Sequence, residues 1–251
     1  MKVVAFIPAR MGSSRFPGKP LAPLLGKPMI EHVYKRTAMA ATVDSVYIAT
    51  CDEEIKQAAE DFGAAVVMTS NLHQRASDRI AEAAEKVAAD ADVIIMVQGD
   101  EPMISPEMVD ESVRPFQVDS NLACTNLLGV IKTEKEFNDR NTIKVIRGGG
   151  DSALYFSREP IPTQTILGFD GLTPYKQVCI ISFSRSGLKR FGDLAPTSLE
   201  EAESIDMMRF LEHGIAVRLV PTMHYTHAVD TLEDLRAVEA LLRDDPLTSL
   251  Y

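Results

Sequence analysis

The sequence predicts an α/β fold with a mostly parallel central sheet, and three observations carry that prediction. Apolar strand-like runs alternate with amphipathic segments through the first half of the chain. Turn and cap residues separate them at the spacing of βαβ units. The 251 residues, 45% of them apolar, suffice for one sizeable core.

Taken in order, the first strand spans 3–8, Val3-Val4-Ala5-Phe6-Ile7-Pro8. A helical pattern around 28–41, a strand at 45–49, a helix at 53–62 and a strand at 65–68 follow. Asp52 is placed to cap the helix that ends at Gly63, and Ser77 to cap another running towards Ala88. Strand 93–97 is apolar throughout, as a buried strand is. Ser105-Pro106 then opens a helix with a cap and a first-turn proline. Beyond about residue 121 the pattern shifts to β-runs at 122–130, 142–147, 152–156 and 177–183, interrupted by the Gly148–Asp151 turn and a loop at 157–175. A helix at 199–213 stopped by Gly214, a strand at 215–220 and a helix opened by the capping-box-like Thr231-Leu232-Glu233-Asp234 complete the chain. No internal repeat or linker divides residues 1–251, which read as a single domain.

A formal net charge of −10 argues against a general nucleic-acid or membrane-surface binder, which needs a basic field. Cys51, Cys124 and Cys179 are widely spaced, without a CxxC or histidine pairing, so neither a disulfide framework nor a zinc site is indicated and a reducing cytoplasm fits. No apolar run approaches the roughly 20 residues of a membrane helix.

Two loops carry the chemistry. Behind the first strand, Ala9-Arg10-Met11-Gly12-Ser13-Ser14-Arg15-Phe16-Pro17-Gly18-Lys19-Pro20 offers three cations and many backbone N–H groups, which suits a polyphosphate. The Walker spacing is absent, since Lys19 is followed by proline. A solvated basic loop is the plainer alternative. Behind strand 93–97 comes Gln98-Gly99-Asp100-Glu101-Pro102, in which an acidic group straight after an apolar strand calls for a cation. Asp230, before the last helix, is its natural partner for Mg²⁺, which takes one or two carboxylates plus phosphate oxygens; helix capping is the alternative role for Asp230. Ligands of open α/β sheets bind beyond the carboxyl ends of the strands, so both loops are expected to face one cleft.

These loops, together with His73-Gln74-Arg75-Ala76-Ser77-Asp78-Arg79, Ala153-Leu154-Tyr155-Phe156-Ser157-Arg158 and Val229-Asp230-Thr231, resemble the motifs of the CMP-Kdo synthetases (3-deoxy-manno-octulosonate cytidylyltransferases), in order and over nearly the whole chain. The resemblance implies a Rossmann-like three-layer nucleotidyltransferase fold and transfer of CMP from CTP to a small acidic acceptor, with release of pyrophosphate, for lipopolysaccharide or capsule synthesis. It implies that Pro8, Ala9, Arg10, Gly12, Ser13, Ser14, Arg15 and Lys19 wrap the triphosphate, with Arg10, Arg15 and Lys19 catalytic alongside Asp100. Ser77, Arg79 and Gln98 join the nucleotide site, and Asp100 and Asp230 hold Mg²⁺. Gln98, Arg158, Gln177, Glu203 and Asp206 are expected at the acceptor, with a surface ion pair to Glu159 as the alternative for Arg158. Glu203 and Asp206 are expected three apart on one helix face. A homodimer is implied too, with the β-rich stretch 150–195 as the excursion that pairs with a second subunit.

In the motif that the resemblance puts near the base and ribose, Ala76 and Ser77 replace the usual Gly-Thr. The acceptor half departs further from the family pattern: a histidine and a tyrosine of the enterobacterial-type pattern become Gln177 and Ile181, and Glu-Gln-Leu-Arg becomes Asp206-Met207-Met208-Arg209. A site built to bond a hydroxyl rejects acceptors that lack it, so these positions bear on substrate choice. Another acid, such as 8-amino-Kdo, a nonulosonic acid or a phosphonate, is therefore the rival acceptor. A metal-dependent glycosyltransferase and a non-catalytic nucleotide sensor are rival readings from other classes.

Overall fold

A computed structural model describes residues 1–12 and 16–251. Its elements in chain order are β1 (Val3–Ala9), the short hairpin β2 (Pro23–Leu24) and β3 (Lys27–Pro28), α1 (Met29–Ala38), β4 (Ser45–Thr50), α2 (Glu53–Asp61), β5 (Ala65–Met68), α3 (Ala76–Val87), β6 (Val93–Val97) and α4 (Pro106–Val118). The second half gives β7 (Cys124–Val130), α5 (Glu134–Asn138), β8 (Lys144–Arg147), β9 (Ala153–Ser157), β10 (Tyr175–Ser184), α6 (Arg185–Asp193), α7 (Ser198–Glu203), α8 (Met207–Glu212), β11 (Val217–Pro221) and α9 (Leu232–Arg243).

The main sheet runs β11-β7-β10-β6-β1-β4-β5. Strands β6, β1, β4 and β5 are parallel, as the βαβ pattern predicts, and β11 is parallel to β7; β10 lies antiparallel between β6 and β7. Because β1 and β6 are buried along their whole length, they are apolar at every position rather than alternating. One face packs Ile30, Ile55 and Val109 of α1, α2 and α4; the other packs Ile80, Leu188 and Phe210 of α3, α6 and α8. The result is the expected three-layer α/β architecture.

Four local expectations are corrected. Asp52 sits at the N-cap of α2, but its carboxylate accepts from the Met11 N–H at 2.8 Å, so it holds the opening loop rather than the helix. Ser77 is inside the first turn of α3, with Arg75 as the N-cap residue; its N–H is satisfied by Asp206 Oδ2 at 3.0 Å. The helix expected over 199–213 is broken into α7 and α8 at Ser204, whose left-handed φ of 55° ends the first segment. Buried Ile205 enters the core there, and Asp206 is drawn to α3, so Glu203 and Asp206 do not share a helix face. Finally, β10 is a central strand, so the stretch 150–195 is not an excursion throughout. Only β9 and the 158–174 loop before β10 stand apart from the main path of the sheet, β9 being joined to it through β8.

Candidate active site

A cleft of about 880 Å³ opens beyond the carboxyl ends of β1 and β6. At its centre, Lys19 Nζ lies 2.7 Å from Asp100 Oδ2 and 3.3 Å from Asp230 Oδ1. Three short segments meet there. Gly18, at φ 71°, turns the opening loop into the 3₁₀ turn that begins at Lys19. Asp100 follows β6 through Gly99, where a Cβ would come within 3.1 Å of the Pro8 carbonyl, so a glycine lets the two loops lie against each other. Asp230 precedes the capping box of α9 and is tied back by the Val229 N–H, which donates to the Asp100 carbonyl at 2.8 Å.

Among the described residues, the two carboxylates share the Lys19 ammonium. Burial alone would lower the Lys19 pKa, but Asp100 and Asp230 outweigh it and hold the ammonium above its usual range. The same pair suits Mg²⁺, since two hard-oxygen donors already converge on a cation.

The cleft brings together Pro8, Ala9, Arg10, Gly12, Lys19, Arg79, Gln98, Asp100, Arg158, Gln177, Asp206 and Asp230 from the sequence-predicted set. Ser13, Ser14 and Arg15 lie outside the described residues. Two predicted residues are absent from the lining. Ser77 is fully buried, its hydroxyl against the Met96 sulfur. Glu203 accepts from the Ser157 hydroxyl at 2.8 Å, the Tyr155 hydroxyl at 3.3 Å and the Arg158 N–H at 2.9 Å, so it fastens the end of β9. Met207 is likewise a core residue, whereas Gln177 and Ile181 do face the cleft.

Arg158 does not pair with Glu159, which is taken by Arg140 at 2.7 Å. Its Nε, Nη1 and Nη2 donate to the carbonyls of Glu203, Arg140 and Ser204, leaving the second hydrogens of Nη1 and Nη2 for a ligand. Gln177 donates one Nε2 hydrogen to Asn126 Oδ1, so its amide oxygen and second Nε2 hydrogen are what it offers an acceptor. Arg79 donates to Thr69 Oγ1 at 2.6 Å and holds the loop before α3. Burial pushes the Asp206 carboxyl up, against the pull of the Ser77 N–H and Arg75.

A family model described as cytidylyltransferase matches residues 4–219. The chain belongs to the cytidylyltransferase family. Among its relatives, the 3-deoxy-manno-octulosonate cytidylyltransferase of Geobacter metallireducens is 43% identical over 97% of this chain and 99% of its own length. That of Pelobacter propionicus is 43% identical over 94% of this chain and 95% of its own. The solved structure of a CMP:2-keto-3-deoxy-manno-octonic acid synthetase complexed with CTP superposes with a TM-score of 0.88 at 38% identity, covering 97% of this chain and 99% of that one.

This cytidylyltransferase also lines its cleft with residues that sequence reasoning passed over. The segment 222–228 between β11 and Asp230 contributes His224, Tyr225, Thr226 and His227, and the loop after β6 adds Glu101. The histidines and tyrosine just before Asp230 were a usable signal, because polar and aromatic groups in a loop beside a candidate metal carboxylate face ligand more readily than core. Cys179 lines the cleft and Cys124 lies in the core; burial pushes both thiols well above their usual range, which disfavours the nucleophilic thiolate.

Proposed function

We propose that this enzyme transfers CMP from CTP to 3-deoxy-manno-octulosonate, a step of lipopolysaccharide or capsule synthesis. The observation that carries the reading is the convergence of Asp100 and Asp230 on the Lys19 ammonium, in a chain matched over nearly its whole length by relatives of that name. An acceptor oxygen attacks the α-phosphorus in line; the new P–O bond forms as the bond to the β-phosphate breaks, pyrophosphate departs and the acceptor proton passes to solvent. Asp100 and Asp230 would hold Mg²⁺, which when bound supplies Lewis-acid polarisation of phosphoryl and acceptor oxygens.

The chain's own groups do the rest. Lys19 and Arg10 neutralise charge gathering on the leaving pyrophosphate, a task also assigned to Arg15 from the sequence alone, as triphosphate binding is to Ser13 and Ser14. Pro8, Ala9 and Gly12 give backbone to the triphosphate, Arg79 and Gln98 stand on the nucleotide wall, and Gln177, Asp206 and the free hydrogens of Arg158 meet the acceptor. No covalent enzyme intermediate is needed.

Ile181 facing the cleft favours a second reading, an acid whose substituents differ from those of 3-deoxy-manno-octulosonate. A pyrophosphate-release screen with CTP decides between them. 3-Deoxy-manno-octulosonate is expected to give the highest kcat/KM against its 8-amino analogue, nonulosonic acids and simple phosphonates. A higher value for another acid would transfer the assignment to it, and release of nucleoside diphosphate instead would mark a glycosyltransferase.

A homodimer is part of the proposal, supported by the exposed Leu154, Ile166 and Leu167 on β9 and the 158–174 loop. Sedimentation at micromolar concentration is expected to give twice the chain mass; a stable monomer would overturn it. The three unpaired cysteines, and the absence among the described residues of any helix long and apolar enough to cross a membrane, support a place in the cytoplasm. Recovery in the membrane fraction would count against that.

A further inference from the structure

The chain must travel from β11, at one edge of the sheet, past the ends of β7, β10 and β6 to reach α9, which packs on Leu24 and Met29 beside the opening loop. It does so in residues 222–230, a strap without regular secondary structure. A strap of this kind has no ladder of backbone hydrogen bonds to fix its register, so its individual ties decide where its far end lies. The Thr222 N–H donates to the Leu128 carbonyl at 2.9 Å where the strap leaves β11. Mid-way, Thr226 Oγ1 donates to Glu101 Oε2 at 2.6 Å, with both side chains buried. The Val229 N–H then meets the Asp100 carbonyl at 2.8 Å, and Asp230 follows.

The second and third ties end on consecutive residues of one loop, Glu101 and Asp100, and that loop is laid against Pro8 through Gly99. The tied positions 226 and 229 are three residue steps apart, a reach of about 10 Å at most, so two fixed points leave Asp230 little freedom to move away from Asp100. We propose that the Thr226–Glu101 hydrogen bond is a positioning contact: it seats the strap and thereby sets Asp230 against Asp100 as a two-carboxylate cation site. The inference rests on reading those two carboxylates as the metal ligands. It assigns Thr226 and Glu101 a part in metal affinity that neither plays by touching substrate. The chemistry is suited to it, because a buried carboxylate oxygen that loses its donor is costly, so the strap is strongly held in the one register that satisfies it.

Thr226→Val keeps the shape of the side chain and removes the hydroxyl; Thr226→Ser keeps the hydroxyl. Mn²⁺ binding to the CTP complex, followed by electron paramagnetic resonance, is expected to weaken about tenfold in the valine variant. The Mg²⁺ concentration for half-maximal pyrophosphate release should rise in step, with most of kcat recovered at saturating metal and a melting temperature within a few degrees of wild type. The serine variant should bind Mn²⁺ like wild type. Glu101→Ala should reproduce the loss, and the Thr226→Val/Glu101→Ala pair should be no weaker than either alone, as partners in one bond require. Unchanged Mn²⁺ affinity in the valine variant, an equal defect in the serine variant, or additive losses in the pair would each overturn the proposal. A wild-type enzyme that binds no Mn²⁺ with CTP would instead remove the underlying assignment of Asp100 and Asp230.

Discussion

Asp100→Asn is expected to reduce CTP-dependent pyrophosphate release by about 10³-fold, equivalent to about 4 kcal/mol of transition-state stabilisation, while leaving the fold intact. The side chain is only partly buried, and the tie that the Asp100 residue gives the fold is its backbone carbonyl, which accepts from Val229 whichever side chain is present. Asparagine also keeps an oxygen for the Lys19 ammonium. What it removes is one of the two negative charges that converge on the cation position, and a neutral amide is a poor ligand for a hard divalent ion. Pyrophosphate release and a thermal melt, run together, test both halves of the statement. Full activity with an unchanged melt would remove Asp100 from the metal site.

Much of this site could be read before the structure because each part is local in sequence. Arg10 and Lys19 belong to one loop and Asp100 follows one apolar run, so periodicity alone puts them at strand ends. The parallel half of the sheet was legible for the same reason. What escaped was decided by contacts far apart in sequence. Asp206 lies 129 residues from the Ser77 N–H that it satisfies, and that bond both displaces Ser77 from the cap and helps to break the 199–213 helix. The buried pair Arg209 and Glu200, with half-buried Asp78, adds to this by locking α8, α7 and α3 together, with Arg209 Nη2 2.7 Å from Glu200 and Nη1 2.8 Å from Asp78. Helical periodicity holds no record of such pairs. Nor does β-propensity say that β10 inserts between β6 and β7, since an antiparallel insertion and a peripheral hairpin present the same alternation. Arg158 shows the limit for single residues: its neighbour Glu159 invited an ion pair, but three backbone carbonyls, of Arg140 and of Glu203 and Ser204 at the end of α7, won the guanidinium.

Lys19→Met should act in two opposite directions, and that opposition identifies what the lysine does. With CTP present, kcat/KM for CTP is expected to fall by about 10²-fold or more, because a charge that meets the departing pyrophosphate is gone. Without nucleotide, Mn²⁺ binding should tighten by about tenfold, because the ammonium that sits 2.7 Å from Asp100 and 3.3 Å from Asp230 no longer competes for those oxygens. A lysine that served only the triphosphate would show the first effect and not the second, so unchanged or weaker Mn²⁺ affinity in the variant would refute the shared position. The pH dependence follows from the sign of its shift. The folded pKa is raised above the ordinary 10.5 once the carboxylates outweigh burial, so the stability that Lys19 contributes is fully present below 10.5 and is lost only as pH rises through the higher folded value. Between about pH 7 and 9 the melting temperature should therefore carry no signature of Lys19, and any pH effect on nucleotide-free Mn²⁺ binding in that range must come from other groups.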